Sequence, residues 1–425
     1  MNRRSGDYVI IGGGLAGAKA AETLRDEGFD GRVVIVAKEP ERPYERPPLS
    51  KDYLQGTSGR DAIFVHDAGW YAENDVELLE SIAAVDVDRH RREVELGDGE
   101  RIGYDRLLLA TGSTPRRLQV PGADLGNVMH LRNVGDTERL RAVISGGGAR
   151  VVVVGAGWIG LETAAAARTY GCPVTVIEPQ PTPLYGALGP ELGEVFADLH
   201  GENGVRLLLG TGVAELIGGA AAQPGEPHPV RAVVTDSGER LPADLVVVGV
   251  GARPETELAE WCGLEVDDGV VVDAALRSSD PAIHAAGDVA SVYMPRYGRQ
   301  VRVEHWANAL NSGPAAARSM LGADVTYDEL PYFFTDQYDL GMEFSGLVTP
   351  GGYDRIVYRG DTAGREFIAF WLDGRRVVAG MNVNVWNVTD DVRALIDSGA
   401  RVDPDRLADP GVPLSSLTSA SPAPS

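Results

Sequence analysis

The chain has 425 residues, 53 of them glycine, and carries 39 basic and 62 acidic residues for a formal net charge of −23. That acidity excludes a general nucleic-acid binder or a protein of anionic membrane surfaces, because phosphate repels it. The two cysteines, Cys172 and Cys262, form no CxxC pair, which excludes a disulfide scaffold, a zinc ribbon, a protein-borne iron–sulfur cluster and vicinal-dithiol chemistry.

Residues 1–7 are polar, and the apolar run Tyr8–Ile11 stops at glycine, too short for a signal core. No stretch approaches the ~18 apolar residues of a membrane span, so the expected location is the cytoplasm. Tyr8–Ile11 reads as a buried strand running into Gly12-Gly-Gly-Leu-Ala-Gly17, with a helical pattern to Gly28 and a second strand over Arg32–Ala37. In such a turn Gly12 permits the reversal, Gly14 lets backbone approach a pyrophosphate, and Gly17 lets helix pack on strand. The helix N-terminus offers N–H groups to the phosphates. A carboxylate after the second strand should hold ribose hydroxyls; Glu39 is the candidate, with Lys38 in the preceding position.

Pro43–Lys51 (PYERPPLSK) is stiffened by adjacent prolines and carries Arg46 and Lys51. Taken alone, it is either a rigid segment presenting cations to an electron-rich ring or a solvated surface loop. Arg106–Ala110 is a further apolar strand, ending at Thr111-Gly112.

The same grammar recurs. Arg150–Val154 is a strand, Gly155-Ala-Gly-Trp-Ile-Gly160 the turn, Leu161–Tyr170 a helix and Val174–Ile177 a strand closed by Glu178. In this second turn Gly155, Gly157, Ile159 and Gly160 are the candidate phosphate-side positions. Glu178 stands 23 residues after Gly155, where a carboxylate accepts both ribose hydroxyls and repels a 2′-phosphate, favouring NADH over NADPH. A solvated strand-end glutamate is the alternative. Residues 220–229 read as a loop, and Asp244–Val248 as a strand leading to Gly249-Val-Gly251. One glycine fingerprint is a weak signal; strand, turn, helix and strand twice in one chain is a strong one. Two nucleotide sites call for two nucleotides, and the natural pair is FAD with a nicotinamide dinucleotide. A third turn, Ala285-Ala-Gly-Asp288, belongs to neither unit.

Beyond residue 328 the alternating, aromatic segments Phe333-Phe334, Arg355–Tyr358, Glu366–Leu372 and Arg376–Ala379 predict an antiparallel sheet. Asp390–Ser398 reads as helical and residues 413–425 as disordered. The expected fold class is α/β: two Rossmann-like dinucleotide-binding domains of glutathione-reductase type plus a C-terminal α+β domain. Residues 1–115 and 252–328 are assigned to a discontinuous FAD-binding domain, 116–251 to an NAD-binding domain, 329–410 to an interface domain and 411–425 to a disordered tail.

The string Pro43–Lys51, with Val303-Glu-His-Trp-Ala-Asn-Ala309, Tyr332–Tyr338 (YFFTDQY) and Gly380–Trp386 (GMNVNVW), resembles the FAD-dependent NAD(P)H:ferredoxin reductases that serve Rieske oxygenases and bacterial cytochromes P450. The resemblance covers roughly residues 7–410. It implies that Gly12, Gly14, Ala16 and Gly17 touch the FAD pyrophosphate, that Lys38 or Glu39 serves its ribose, and that Ile82 clamps the adenine through its backbone. It places Arg46, Lys51, Thr111, Gly112, Arg132 and Trp306 along FAD, and Asp288 at the ribityl chain or phosphate. Gly155, Gly157, Ile159, Gly160, Glu178 and Gly251 then hold NAD. Lys51 and Glu162 are the implied catalytic pair, the glutamate facing the nicotinamide, although a first-turn helix glutamate is also favoured by the macrodipole alone. Phe334-Thr335 departs from a Trp-Ser pair common among these reductases, as Lys38 does from an acidic ribose ligand.

The seven histidines show no HxxxH or HxH spacing, so no metal site is expected. An acidic ferredoxin needs a basic landing area, for which Arg296, Arg299 and Arg302 are the candidates. The expected activity is electron transfer from NADH through FAD to a [2Fe–2S] or similar ferredoxin that supplies a cytochrome P450 or Rieske oxygenase. The alternative is an NADH oxidase, or a quinone or radical reductase, on the same scaffold.

Overall fold

A computed structural model describes residues 6–220, 227–348 and 351–418; the middle of the predicted 220–229 loop and the last residues of the predicted tail lie outside this range. The chain packs as two compact units. The first holds the chain up to Pro47, Gly59–Thr114 and Ala252–Pro331; the second holds Pro48–Ser58, Pro115–Gly251 and the chain from Tyr332 onward.

In the first unit a five-stranded parallel sheet runs in the order Ile283–Ala285, Arg106–Leu109, Asp7–Ile11, Arg32–Val36, Val76–Leu79. Its central residues Val9, Ile10, Val33, Val34, Ile35, Leu107 and Leu108 are wholly buried, as in a parallel sheet covered on both faces, so the strands read as continuous apolar runs. The helix Leu15–Asp26 follows the first strand directly and packs on the helix Trp306–Met320 through small residues. A Cβ on Gly313 would stand 2.3 Å from the carbonyl oxygen of Ala16, so the two helices approach to backbone contact.

In the second unit the parallel sheet runs Val205–Leu209, Val174–Glu178, Val151–Val154, Leu245–Val248, Val128–Met129. An antiparallel sheet follows, in the order Tyr332–Gln337, Leu340–Gly346, Arg376–Val383, Glu366–Asp373, Arg355–Asp361. Side chains alternate across it, as strand geometry requires. Phe367, Ala369 and Trp371 enter one core with Leu161, Phe196 and Leu199 of the nucleotide half. Ile368, Phe370 and Leu372 enter another with Val392, Leu395 and Leu407. The C-terminal sheet therefore shares its core with the preceding sheet.

The expectation of disorder from residue 411 is corrected in part. Leu414–Leu417 forms a 3-10 turn whose Leu414 and Leu417 are 5% and 4% exposed and join the second of these cores. Two leucines at i and i+3 outweigh a composition of small and polar neighbours, because a single turn presents both to the same face.

Three histidines, His200, His284 and His305, are pushed down to about 4 by burial. A histidine depressed when folded leaves the unfolded chain binding more protons between its two values, so stability rises with pH there. The thermal midpoint should accordingly fall as pH drops from about 6.5 towards 4, with the unfolded histidine value as the upper bound; a flat midpoint across that window would refute it. Separately, Gly313→Ala should lower stability by about 1–3 kcal/mol through overpacking, read as a lower thermal midpoint at pH 7.

Candidate functional site

The two glycine turns follow one steric logic. A Cβ on Gly12 would meet the carbonyl oxygen of Ala110 at 2.1 Å, and one on Gly17 that of Gly12 at 2.2 Å. In the second turn Gly155 and Gly160 are held likewise, against the carbonyl oxygens of Gly249 at 2.4 Å and of Gly155 at 2.1 Å. The central glycines differ. Gly14 has nothing within 4 Å, and Gly157 only the Gly249 oxygen at 4.0 Å. Each is the N-cap of its helix, Leu15–Asp26 or Trp158–Thr169, and neither helix has a side-chain cap. Open space before uncapped N–H groups at the positive end of a helix fits a pyrophosphate, so each unit fits one dinucleotide.

Around the first turn, buried Ala16 packs against Gly287, and Asp288 accepts a hydrogen bond from Ser113 Oγ at 2.8 Å. Thr111 donates its hydroxyl to the Glu255 carbonyl at 2.8 Å, and the Gly112 carbonyl accepts the Glu255 N–H at 2.9 Å. The structure brings Arg46 to Glu39, 2.9 Å apart, and Tyr44 donates to the same carboxylate; Lys38 is exposed. Ile82 donates its N–H to the Ala37 carbonyl at 3.0 Å, so that N–H is used within the chain. Burial pushes the Glu45 carboxyl up, and the neighbouring Trp306 opposes the rise. Glu45 was not singled out in the sequence, although it lies inside the PYERPPLSK string. Burial pushes the ring of His305, beside Trp306, down to about 4.

The second unit holds the ion pair. Lys51 Nζ lies 2.8 Å from Glu162 Oε1, with side chains 13% and 4% exposed. Ser50 Oγ donates to Glu162 Oε2, and Thr335 Oγ1 donates to Glu162 Oε1 at 2.6 Å. Three donors thus converge on one buried carboxylate, the arrangement that burying a charge demands. Glu162 is the fifth residue of the helix Trp158–Thr169, beyond its first turn, so the macrodipole reading is corrected: that field fades within the first turn. The Lys51 ammonium also lies 5.4 Å from the centre of the Phe334 ring. Burial pushes the neighbouring Asp336 carboxyl up, Lys51 opposing and Glu162 adding to the rise. Phe334-Thr335 keeps an aromatic face and a hydroxyl where a Trp-Ser pair would supply the same two groups. Ser50 and Thr335 were missed as ligands of Glu162 because their partner lies 112 and 173 residues away.

Glu178 Oε2 accepts the N–H of Ala156 at 2.7 Å and its Oε1 that of Gln180 at 2.9 Å, which anchors the carboxylate at the mouth of the second turn. Ile159, on the same turn, is 42% exposed. Gly251, at φ +95°, accepts the Arg116 N–H, and Arg132 donates its backbone N–H to Asp136 ahead of a capped helix. The basic landing area is weaker than expected. Arg302, 12% exposed, pairs with Asp268 and Glu304, and Arg296 pairs with Asp328, so both charges are neutralised locally. Among the described residues there is no group of three or more metal-ligating side chains, and no helix is long and apolar enough to cross a membrane. Both cysteines are free.

Residues 6–313 match the pyridine nucleotide-disulphide oxidoreductase family, and residues 332–418 match a reductase C-terminal domain. The chain belongs to the pyridine nucleotide-disulphide oxidoreductase family and is an NAD(P)H-dependent FAD oxidoreductase. It is 42% identical to the ferredoxin–NAD(+) reductase component of the anthranilate 1,2-dioxygenase system of Burkholderia cepacia, over 96% of this chain and 98% of that one. It is 36% identical to putidaredoxin reductase of Pseudomonas putida, over 98% of each. Among solved structures it matches the covalent putidaredoxin reductase–putidaredoxin complex with a TM-score of 0.91 at 36% identity, covering 97% of this chain and 98% of that one.

Proposed function

We propose that this oxidoreductase passes electrons from NADH to a [2Fe–2S] or similar ferredoxin that supplies a cytochrome P450 or a Rieske oxygenase. The observation that carries the reading is the combination of two glycine turns that open before uncapped helix N-termini with a buried Glu162 carboxylate held by Lys51, Ser50 and Thr335. FAD, when bound, accepts a hydride as an electron pair and releases electrons singly. The chain supplies the placement. The segments of the first unit, with Gly14, Ala16 and Asp288, hold FAD; residues 116–251, with Gly157, Ile159 and Gly251, hold the nicotinamide dinucleotide. Glu162 fixes the Lys51 ammonium as a directed cation, which a mobile lysine stem would otherwise let wander. Glu178 keeps lone pairs for ribose hydroxyls after accepting its two backbone N–H groups, since a carboxylate has about four acceptor positions. Its charge opposes a 2′-phosphate, which selects NADH.

The ferredoxin meets this chain near the strand Arg299–Arg302, with exposed Arg299 as the contact that charge reversal can test. Resemblance to reductase components of dioxygenase and P450 systems supports a ferredoxin over oxygen or a quinone as acceptor.

Purified protein should bind FAD and reduce ferredoxins with NADH faster than it consumes oxygen without them; oxygen consumption as fast in their absence would favour the oxidase alternative. Glu178→Ala should cost about tenfold in NADH-over-NADPH preference, the size of a lost charge-assisted hydrogen bond, and an unchanged preference would remove Glu178 from ribose binding. Lys51→Gln should slow flavin reduction by NADH in stopped flow. Arg299→Glu should raise KM for ferredoxin and leave ferricyanide reduction unchanged.

A further inference from the structure

We infer that Gln337 and His200 are positioning residues that give the hydrogen bonds reaching Glu162 a single direction and so keep the carboxylate facing Lys51. The inference rests on the reading of Lys51 and Glu162 given above.

The chain of contacts leads away from the ion pair. Gln337 Nε2 lies 3.2 Å from Thr335 Oγ1, His200 Nε2 lies 2.8 Å from Gln337 Oε1, and Tyr338 Oη lies 3.5 Å from His200 Nδ1. Thr335 and Gln337 occupy i and i+2 of the strand Tyr332–Gln337 and so share one face; His200 comes from the helix Pro190–Glu202. Thr335, Gln337 and His200 are 0%, 1% and 0% exposed, so water cannot substitute for a misdirected partner.

Donor inventory leaves one assignment. The Glu162 carboxylate accepts only, so Thr335 uses its one proton on it. The Thr335 oxygen must then accept, and the Gln337 NH2 is the group that donates. This turns Gln337 Oε1, an acceptor only, towards His200, whose Nε2 must carry the proton. A ring protonated at Nε2 and held neutral by burial down to about 4 leaves Nδ1 as an acceptor, matched by the Tyr338 hydroxyl. Tyr338 therefore donates to His200, His200 to Gln337, Gln337 to Thr335 and Thr335 to Glu162. With the amide locked from behind, the Thr335 hydroxyl cannot rotate away, and Glu162 Oε1 stays between it and Lys51. The other charged groups set around this line are Asp336, Asp52 and Glu343 near the pair, and Arg168 near Tyr338.

The test uses the full-length, FAD-loaded protein. Ring-nitrogen NMR of 15N-histidine-labelled wild type, assigned by the signal lost in His200→Gln, should show the Nε2–H tautomer unchanged from pH 5.5 to 8.5. An Nδ1–H tautomer, or titration in that range, overturns the inference. NADH-driven ferricyanide reduction is measured in parallel. Gln337→Leu and His200→Leu should each lower kcat about 5- to 10-fold with KM for NADH unchanged, the scale of one unmade buried hydrogen bond. His200→Gln, which places an amide donor where Nε2 stood, should recover most of the loss. Wild-type kcat in both leucine variants, or no recovery in His200→Gln, overturns it. Should Gln337→Leu fail to fold, the wild-type tautomer and the two His200 variants decide. A wild type that binds FAD yet does not oxidise NADH would refute the proposed function instead, a result separable from any of these.

Discussion

A carboxylate taken out of water must be answered by donors, and Glu162 is the group around which the second unit is arranged. Removing one partner of a buried ion pair costs about 3–5 kcal/mol, far more than a surface pair contributes. Lys51 and Ser50 reach Glu162 only because Pro48–Ser58 packs with the second unit, although it interrupts the first in sequence. Leu54 lies in the same core as Leu161 and Phe196, and Thr137 donates to the Leu49 carbonyl, so apolar burial and backbone bonding hold the short segment where its charge is needed. The adjacent prolines shorten its conformational search by fixing two φ angles.

The glycine turns are the second constraint. Gly12, Gly17, Gly155 and Gly160 are demanded by the chain's own carbonyls, whereas Gly14 and Gly157 border open space. The distinction separates residues that build the turn from residues that admit a ligand, within a motif that treats all of them alike.

Much of this was legible in the sequence. Both parallel sheets announced themselves through glycine turns at fixed offsets from apolar runs, since buried parallel strands leave an unbroken apolar signature. Lys51 and Glu162 were named as a pair through the family resemblance, not through periodicity. What stayed hidden were contacts across long sequence separation: Ser50, Thr335, Gln337 and His200 carry no local mark, because a hydroxyl or amide acquires its role only from what faces it. The charge balance of the expected landing area was hidden for the same reason. Arg296 and Arg302 look like free charge along the chain, but Asp328, Asp268 and Glu304 fold onto them. Glu162 was placed one turn too early, since a helix start set at Leu161 and one set at Trp158 differ by enough to change the electrostatic explanation.

The antiparallel sheet buries both of its faces, one against the helices of the nucleotide half and one against the C-terminal helices. Its first strand also carries Thr335 and Gln337. A segment so engaged is not an interchangeable module. Chimeras that exchange only the C-terminal quarter between related reductases would break an aromatic interlock along with the hydroxyl that holds Glu162. Workable crossovers must carry the helices Trp158–Thr169 and Pro190–Glu202 with the sheet.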